Sequence, residues 1–368
     1  MKKIIGILTL FSLFISCKEN DIEEKDEFRD PYLWPFSQTS IWNMPIGSDA
    51  EYVPALFEDT DKLRMTVDED YIVMKPNAPL TKVYYSEAGW NKNKDRCEHN
   101  GTLLFEAPFP HDWIISSDTW IGTTPNSGLA TLMPDGETIK QTQPFAHCQN
   151  GDIATSKVLC KDVNIYGEGI TGAHGGSRMS AIGGALRNHE LTPTSGPIRH
   201  VLKVNVYANK NLYYDQVTKG YRWPAGGADS SAAGLYGTIR KTPPNKECRM
   251  GALLALPASL DIASLELKTE PARILAVAFQ DYGAYIVDNT AWDVFAIITE
   301  WSPDGRFIDE FKKNWGFAFE TTGTNSNDDW REDLRKIFSK MHIVINNTEA
   351  TIGGGGTPRQ KLAPPFKN

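Results

Sequence analysis

The sequence predicts a mainly β fold, a sandwich or jelly-roll-like body with a few helices packed toward the C-terminus. Three observations carry that reading. Short runs alternate apolar and polar residues with period two, the mark of a half-buried strand. Thirty glycines and 22 prolines break those runs at short intervals, as in all-β sandwiches and jelly rolls. Helical periodicity, by contrast, appears only late in the 368 residues.

Taken in order, Trp113–Ser116 is a first strand candidate. Leu129–Met133 and Thr138–Gln143 flank Pro134-Asp135-Gly136, which reads as a hairpin turn. Val158–Tyr166 follows as another strand. Leu202, Val204 and Val206 alternate with Lys203 and Asn205 in a half-buried pattern. Two further strands, Ile274–Phe279 and Tyr282–Val287, are expected around Gln280-Asp281. Asn289–Trp301 is expected to be helical. Asp304–Trp315 places Phe307, Ile308, Phe311 and Trp315 on one face and stops at Gly316. Asn327-Asp328-Asp329 offers capping side chains to Trp330–Met341, whose Trp330, Leu334, Ile337 and Phe338 share a face. Ile343–Asn346 reads as a last strand before an irregular Gly- and Pro-rich tail.

Composition excludes several classes. With 40% hydrophobic, 11% aromatic and 23% charged residues the chain is not disordered. A net charge of -8 argues against a nucleic-acid partner, because phosphate binding normally needs an excess of Lys and Arg. Beyond the N-terminus no apolar run approaches the ~20 residues of a membrane span.

Lys2 and Lys3 precede an apolar run from Ile4 to Ile15, then Ser16-Cys17. A basic start, a short apolar core and a small residue before the cleavage point predict a signal peptide over residues 1–16. The Ser16-Cys17 step resembles the lipobox of bacterial lipoproteins, in which the cysteine is acylated. Residues 17–30, rich in Asp and Glu, then form an acidic tether. This arrangement is similar to the export signal of outer-membrane lipoproteins in polysaccharide-utilisation systems. The resemblance implies a lipid-anchored protein facing the cell exterior. Tyr32, Trp34, Phe36 and Trp42 open the body, a single β-rich catalytic unit over residues 31–368.

Cys97, Cys148, Cys160 and Cys248 remain, in a compartment that permits disulfides. No CxxC spacing supports a metal site, and Cys148–Cys160, closest in sequence, is the expected pair.

The densest polar cluster runs from Ile165 to Tyr214. It holds His174, His189 and His200, three of the seven histidines, with Arg178, Arg187, Arg199 and Glu190 on a glycine-rich backbone. Such backbone lets side chains and amides approach a ligand closely. His174-Gly175-Gly176 invites comparison with an esterase oxyanion loop, but no G-x-S-x-G elbow accompanies it. Neither H-E-x-x-H nor a P-loop occurs. Arg222 and Trp223 with Asp229, and Asp281 with Tyr282, add groups suited to sugars: aromatic faces stack on rings while charged groups bond hydroxyls or carboxylates.

The leading expectation is therefore a polysaccharide lyase acting by β-elimination on an anionic, uronate-containing glycan. His174 or His200 would take the proton, Arg187, Arg178 or Arg199 would neutralise the uronate carboxylate, and a tyrosine such as Tyr282, Tyr213 or Tyr214 would protonate the leaving oxygen. Arg178, His189, Glu190, Arg199, Tyr214, Arg222, Trp223, Asp229 and Asp281 would bind substrate. A glycoside hydrolase using two of Glu190, Asp229, Asp281 and Asp288 is the alternative. A non-catalytic glycan-binding lipoprotein with Trp34, Trp42, Trp113 and Trp120 as platforms is a third. Ca2+, held by Asp and backbone carbonyls, is the one cofactor the composition suggests.

Overall fold

The computed structural model describes residues 28–60, 64–91, 93–115, 126, 128–322 and 327–367. The signal peptide, most of the acidic tether and Trp120 lie outside them. Strands outweigh helices, 27% to 15%, and the long helices fall in the C-terminal third, as the sequence predicts.

The chain begins with β1 (Tyr52–Pro54), β2 (Met65–Val73), β3 (Leu80–Tyr85) and β4 (Leu103–Pro108). The predicted hairpin forms as β5 (Leu129–Leu132) and β6 (Thr138–Gln143), paired antiparallel. Short strands follow: β7 (Ala146–His147), β8 (Ile153–Ser156), β9 (Val158–Leu159), β10 (Val163–Asn164) and β11 (Thr171–His174). Next come β12 (Leu202–Val206), the one-turn helices α1 (Ala208–Asn211) and α2 (Ala232–Leu235), and β13 (Leu253–Ala255). The C-terminal part contains α3 (Glu270–Asp281), β14 (Ala284–Asn289), β15 (Phe295–Ser302) and β16 (Gly305–Arg306). It closes with α4 (Phe307–Trp315), α5 (Asp328–Ser339) and β17 (His342–Val344).

Twelve strands form one mixed sheet in the order β1-β17-β13-β14-β12-β15-β2-β5-β6-β10, with β16 on β15 and β9 on β6. A second sheet runs β4-β3-β8-β7. The pairs β12/β14, β15/β2, β2/β5 and β3/β8 are parallel, so long crossovers as well as hairpins build the body. Tyr71 and Val73 leave one face of β2 for the smaller core with Phe109, Trp113 and Phe145, while Ile72 leaves the other face for the larger core. Helices α3 and α5 cover that larger core, where Phe338 meets Phe279 and Phe295 with ring centres 6.0 and 4.6 Å apart.

Three expectations are corrected. Ile274–Phe279 lies in helix α3: Pro271 occupies the first turn, and Ala272, Leu275, Ala276 and Phe279 recur at helical spacing on the buried side. Phe295–Ser302, expected within a helix, is a strand, because it pairs β2 and β12 on its two sides and is buried nearly throughout. The disulfide joins Cys97 to Cys148, with Cα atoms 5.8 Å apart. Cys160 instead sits beyond β9 against the Gly172 carbonyl, and Cys248 is free and buried. Nearness in sequence did not bring Cys148 and Cys160 together in space.

Candidate active site

Residues two apart on a strand share a face. On β2, Asp68 and Asp70 therefore leave the side that Ile72 leaves, and Glu69 turns away to pair with Arg306 at 2.5 Å. On β12, Lys203 and Asn205 likewise point together, and the register sets Asn205 beside Asp288 of β14. All five residues of β12 are buried, so its polar side chains are interior groups that need partners and not the wet face of a half-buried strand. Lys203 Nζ donates to Asp70 Oδ2 at 2.5 Å and to the Ser180 carbonyl at 2.7 Å. Asn205 Nδ2 donates to Asp68 Oδ2 at 2.9 Å.

His174 ends β11 with its ring fully buried. Nδ1 donates to the Asp70 carboxylate, 2.9 Å from each oxygen, and that bond fixes the ring's orientation. Nε2 has no hydrogen-bond partner among the described residues and lies 3.9 Å from Asp68 Oδ2. The backbone that follows is pressed by carboxylates. Gly176 N–H donates to Asp288 Oδ1 at 3.0 Å. A Cβ on Gly175, whose φ is +42°, would fall 2.1 Å from Asp288 Oδ2, and one on Gly176 would fall 2.6 Å from Asp229 Oδ1. The glycines of the His-Gly-Gly run thus make room for two acids. Asn126 donates to Asp288 Oδ2, and the Tyr236 hydroxyl donates to Asp229 Oδ2 at 2.6 Å.

The electrostatics follow from burial. Desolvation and then the neighbouring Asp229 push the Asp288 carboxyl up to about 7. Burial also raises Asp229 and Asp68, with His174 opposing the rise at Asp68. Burial disfavours charge on the His174 imidazole, yet Asp70 and Asp68 together outweigh it, with Lys203 opposing, and the net direction is upward. Lys203 is lowered by burial despite Asp70.

Above this cluster opens a cavity of about 640 Å³. Asn126, Gly175, Gly176 and the carboxylate of Asp229 form the side next to the cluster, while Arg178, Lys161 and Trp90 belong to the rest of its lining. Arg178 holds a left-handed φ of +59° and lies along Gly227, where an added Cβ would come within 3.0 Å of Nε. Non-glycine residues in that region are uncommon and concentrate where position matters. No protein-family model, curated protein or solved structure matches this chain. Its chemistry is therefore read from the site itself.

Of the residues singled out in the sequence, His174, Arg178, Asp229 and Asp288 come together here. A different group gathers around His200, whose Nε2 lies 3.0 Å from Glu190 Oε2 and whose Nδ1 meets the Val201 carbonyl. Arg187 belongs to that group, bound to Glu300 at 2.7 Å, and with Trp34 and Trp42 it lines a far smaller space of about 20 Å³. His189 is exposed and pairs with Glu310 on α4. Arg199 stacks over Trp34 and meets Tyr282, whose hydroxyl burial pushes up to about 12. Asp281 is tied to Gln360 and Arg359 of the tail, and Arg222 to Glu247 and the Ile345 carbonyl. Tyr214 and Trp223 pack against the main core, and Trp113 is buried in the smaller one. Asp68, Asp70, Lys203, Asn205 and Trp90 were not anticipated as site residues. The one sequence signal for the four strand residues is polar residues two apart, Asp68/Asp70 ahead of the apolar end of β2 and Lys203/Asn205 between the apolar positions of β12.

Proposed function

We propose that the chain is an exported, lipid-anchored enzyme that cleaves an anionic, uronate-bearing glycan by β-elimination in this cavity. One observation carries the reading: a cavity wide enough for sugar rings combines cationic Arg178 and Lys161 with the carboxylate of Asp229. Arg178 pairs with the uronate carboxylate and makes the neighbouring C5 proton acidic. Trp90, 39% exposed, offers a face on which a sugar ring stacks.

Asp229 takes the C5 proton, the C5–H electrons form the C4=C5 double bond, and the C4–O bond breaks. The proton on Asp229 then passes to the departing glycosidic oxygen, which leaves an unsaturated uronate on one fragment and a new hydroxyl on the other. The base role moves from His174 to Asp229 because Nε2 of His174 is closed off from the cavity by burial. His174, Asp70 and Lys203 act as positioning residues beneath the acids. Two-carboxylate hydrolysis fits less well: it needs two acids facing the substrate, whereas Asp229 lines the cavity and Asp288 is buried behind it.

The test is a panel of uronate-containing and neutral polysaccharides, followed by ultraviolet absorbance of unsaturated uronate beside a reducing-end assay. Both signals rising together on a uronate substrate are expected. Reducing ends without absorbance would replace elimination by hydrolysis, and silence with retention on a glycan gel would replace catalysis by binding.

A further inference from the structure

We propose that Asp68, Nε2 of His174 and Asp288 bind one divalent cation of the manganese or zinc class, buried behind the Gly175-Gly176 lining of the cavity. Ligand atoms of the three residues lie within 4.8 Å of one another. The spacing suits one small ion touched by all three.

Two independent observations point to a cation. The first is charge. Four carboxylates, from Asp68, Asp70, Asp229 and Asp288, crowd a buried volume in which Lys203 is already committed to Asp70. Among the described residues no Lys or Arg reaches Asp68 or Asp288, which are held only by the neutral donors Asn205, Asn126 and Gly176 N–H, with His174 nearby. Buried carboxylates without a cationic partner are costly.

The second observation is the imidazole. Its Nδ1 is bound to Asp70, the carboxylate–histidine arrangement that orients a metal-ligating ring and leaves Nε2 to face the ion. That Nε2 is buried, unpartnered and directed at the two acids. At 3.9 Å from Asp68 it makes no hydrogen bond, and an ion between the two would join them. Asn205 Oδ1 is a further buried acceptor without a partner among the described residues. The imidazole sets the class, because nitrogen ligation favours transition ions over Ca2+. The cation therefore differs from the Ca2+ that composition alone suggests.

The experiment is calorimetric titration of the chelator-treated, dialysed mature protein with Mn2+, Zn2+ and Ca2+ separately, with no glycan present. One equivalent of Mn2+ or Zn2+ is expected to bind. Asp68→Asn, Asp288→Asn and His174→Gln should each weaken it about a hundredfold, and Asp70→Asn, whose carboxylate orients the ring without touching the ion, about tenfold. Pulsed electron paramagnetic resonance of Mn2+ bound to the unmutated protein should show coupling to one imidazole nitrogen, a readout that stands even where a variant fails to fold. Absence of saturable Mn2+ and Zn2+ binding, binding of Ca2+ alone, missing nitrogen coupling, or unchanged affinity in the Asp68 and Asp288 variants would each overturn the site. Because no glycan is needed, failure here leaves the lyase reading standing, and a silent glycan panel leaves the cation site standing.

Discussion

Both carboxylate oxygens of Asp70 lie 2.9 Å from Nδ1 of His174, so one acid fixes the orientation of a fully buried imidazole. The same acid carries the Lys203 ammonium at 2.5 Å. Asp70→Asn should leave Lys203 charged, buried and without its carboxylate, a loss of about 3–5 kcal/mol. Urea denaturation of Asp70→Asn, Lys203→Met and the double variant checks this. The double variant should be more stable than the sum of the single losses implies, since neither charge is then left alone. Strict additivity would contradict the coupling.

Gly175 is the second sensitive point. Its positive φ and the 2.1 Å approach of a would-be Cβ to Asp288 Oδ2 leave no room for alanine. Gly175→Ala should destabilise by about 1–3 kcal/mol and depress activity, because Asp288 and the peptide over it must separate. Gly234→Ala on α2, where an added Cβ meets nothing within 4 Å, should be neutral or slightly stabilising. Thermal unfolding of the two variants side by side separates the local clash from a general intolerance of glycine replacement.

The sequence showed elements that depend on local chemistry. Asn327 caps α5 through its side chain, Gly316 ends α4 in the left-handed conformation, and Pro134-Asp135-Gly136 turns the β5–β6 hairpin. It misled where tertiary pairing decides: β15 is a strand because β2 and β12 flank it, and no local signal in Phe295–Ser302 announces those neighbours. The site was half legible for the same reason. His174, Arg178, Asp229 and Asp288 are conspicuous residue types in a glycine-rich or aromatic setting. Asp68 and Asp70 carry no local mark of burial; strand β12, separated from β2 by β15 in the sheet, brings Lys203 and Asn205 onto them from 133 and 137 residues away. His200 was conspicuous too, but its carboxylate partner is Glu190 and it answers to a structural network.

That network gives a pH dependence with a definite sign. Burial disfavours charge on His200, but Glu190 overrides it, with Arg187 opposing, and the folded-state pKa is raised. The folded chain therefore holds the proton more tightly than the unfolded chain, whose imidazole titrates near ~6.5. The stability contributed by the pair is fully present below about pH 6.5 and is lost as pH climbs through the folded-state value. The gap in unfolding free energy between the unmutated protein and His200→Gln should shrink steadily from ~pH 6 to ~pH 9 in urea titrations. A gap that stays constant, or widens, would show that His200 folds neutral.

Arg178 separates function from fold, because its side chain is exposed while its backbone carries the strain of a φ of +59°. Loss of one charge-assisted contact to a uronate carboxylate should lower kcat/KM about tenfold to a hundredfold in Arg178→Ala. Its unfolding free energy should stay within about 0.5 kcal/mol of the parent, since little is buried. Arg178→Lys should fall between, keeping the charge without the two-pronged geometry. Arg178→Gly should lose as much activity as Arg178→Ala yet gain about 1 kcal/mol of stability, because glycine adopts a positive φ without steric cost. Gly227→Ala, which intrudes on Nε of Arg178 at 3.0 Å, should impair the uronate substrate while barely moving the unfolding temperature. Steady-state kinetics on a uronate glycan beside thermal unfolding reads all four variants. Activity that follows stability through the series, with Arg178→Gly the best enzyme, would remove Arg178 from substrate binding.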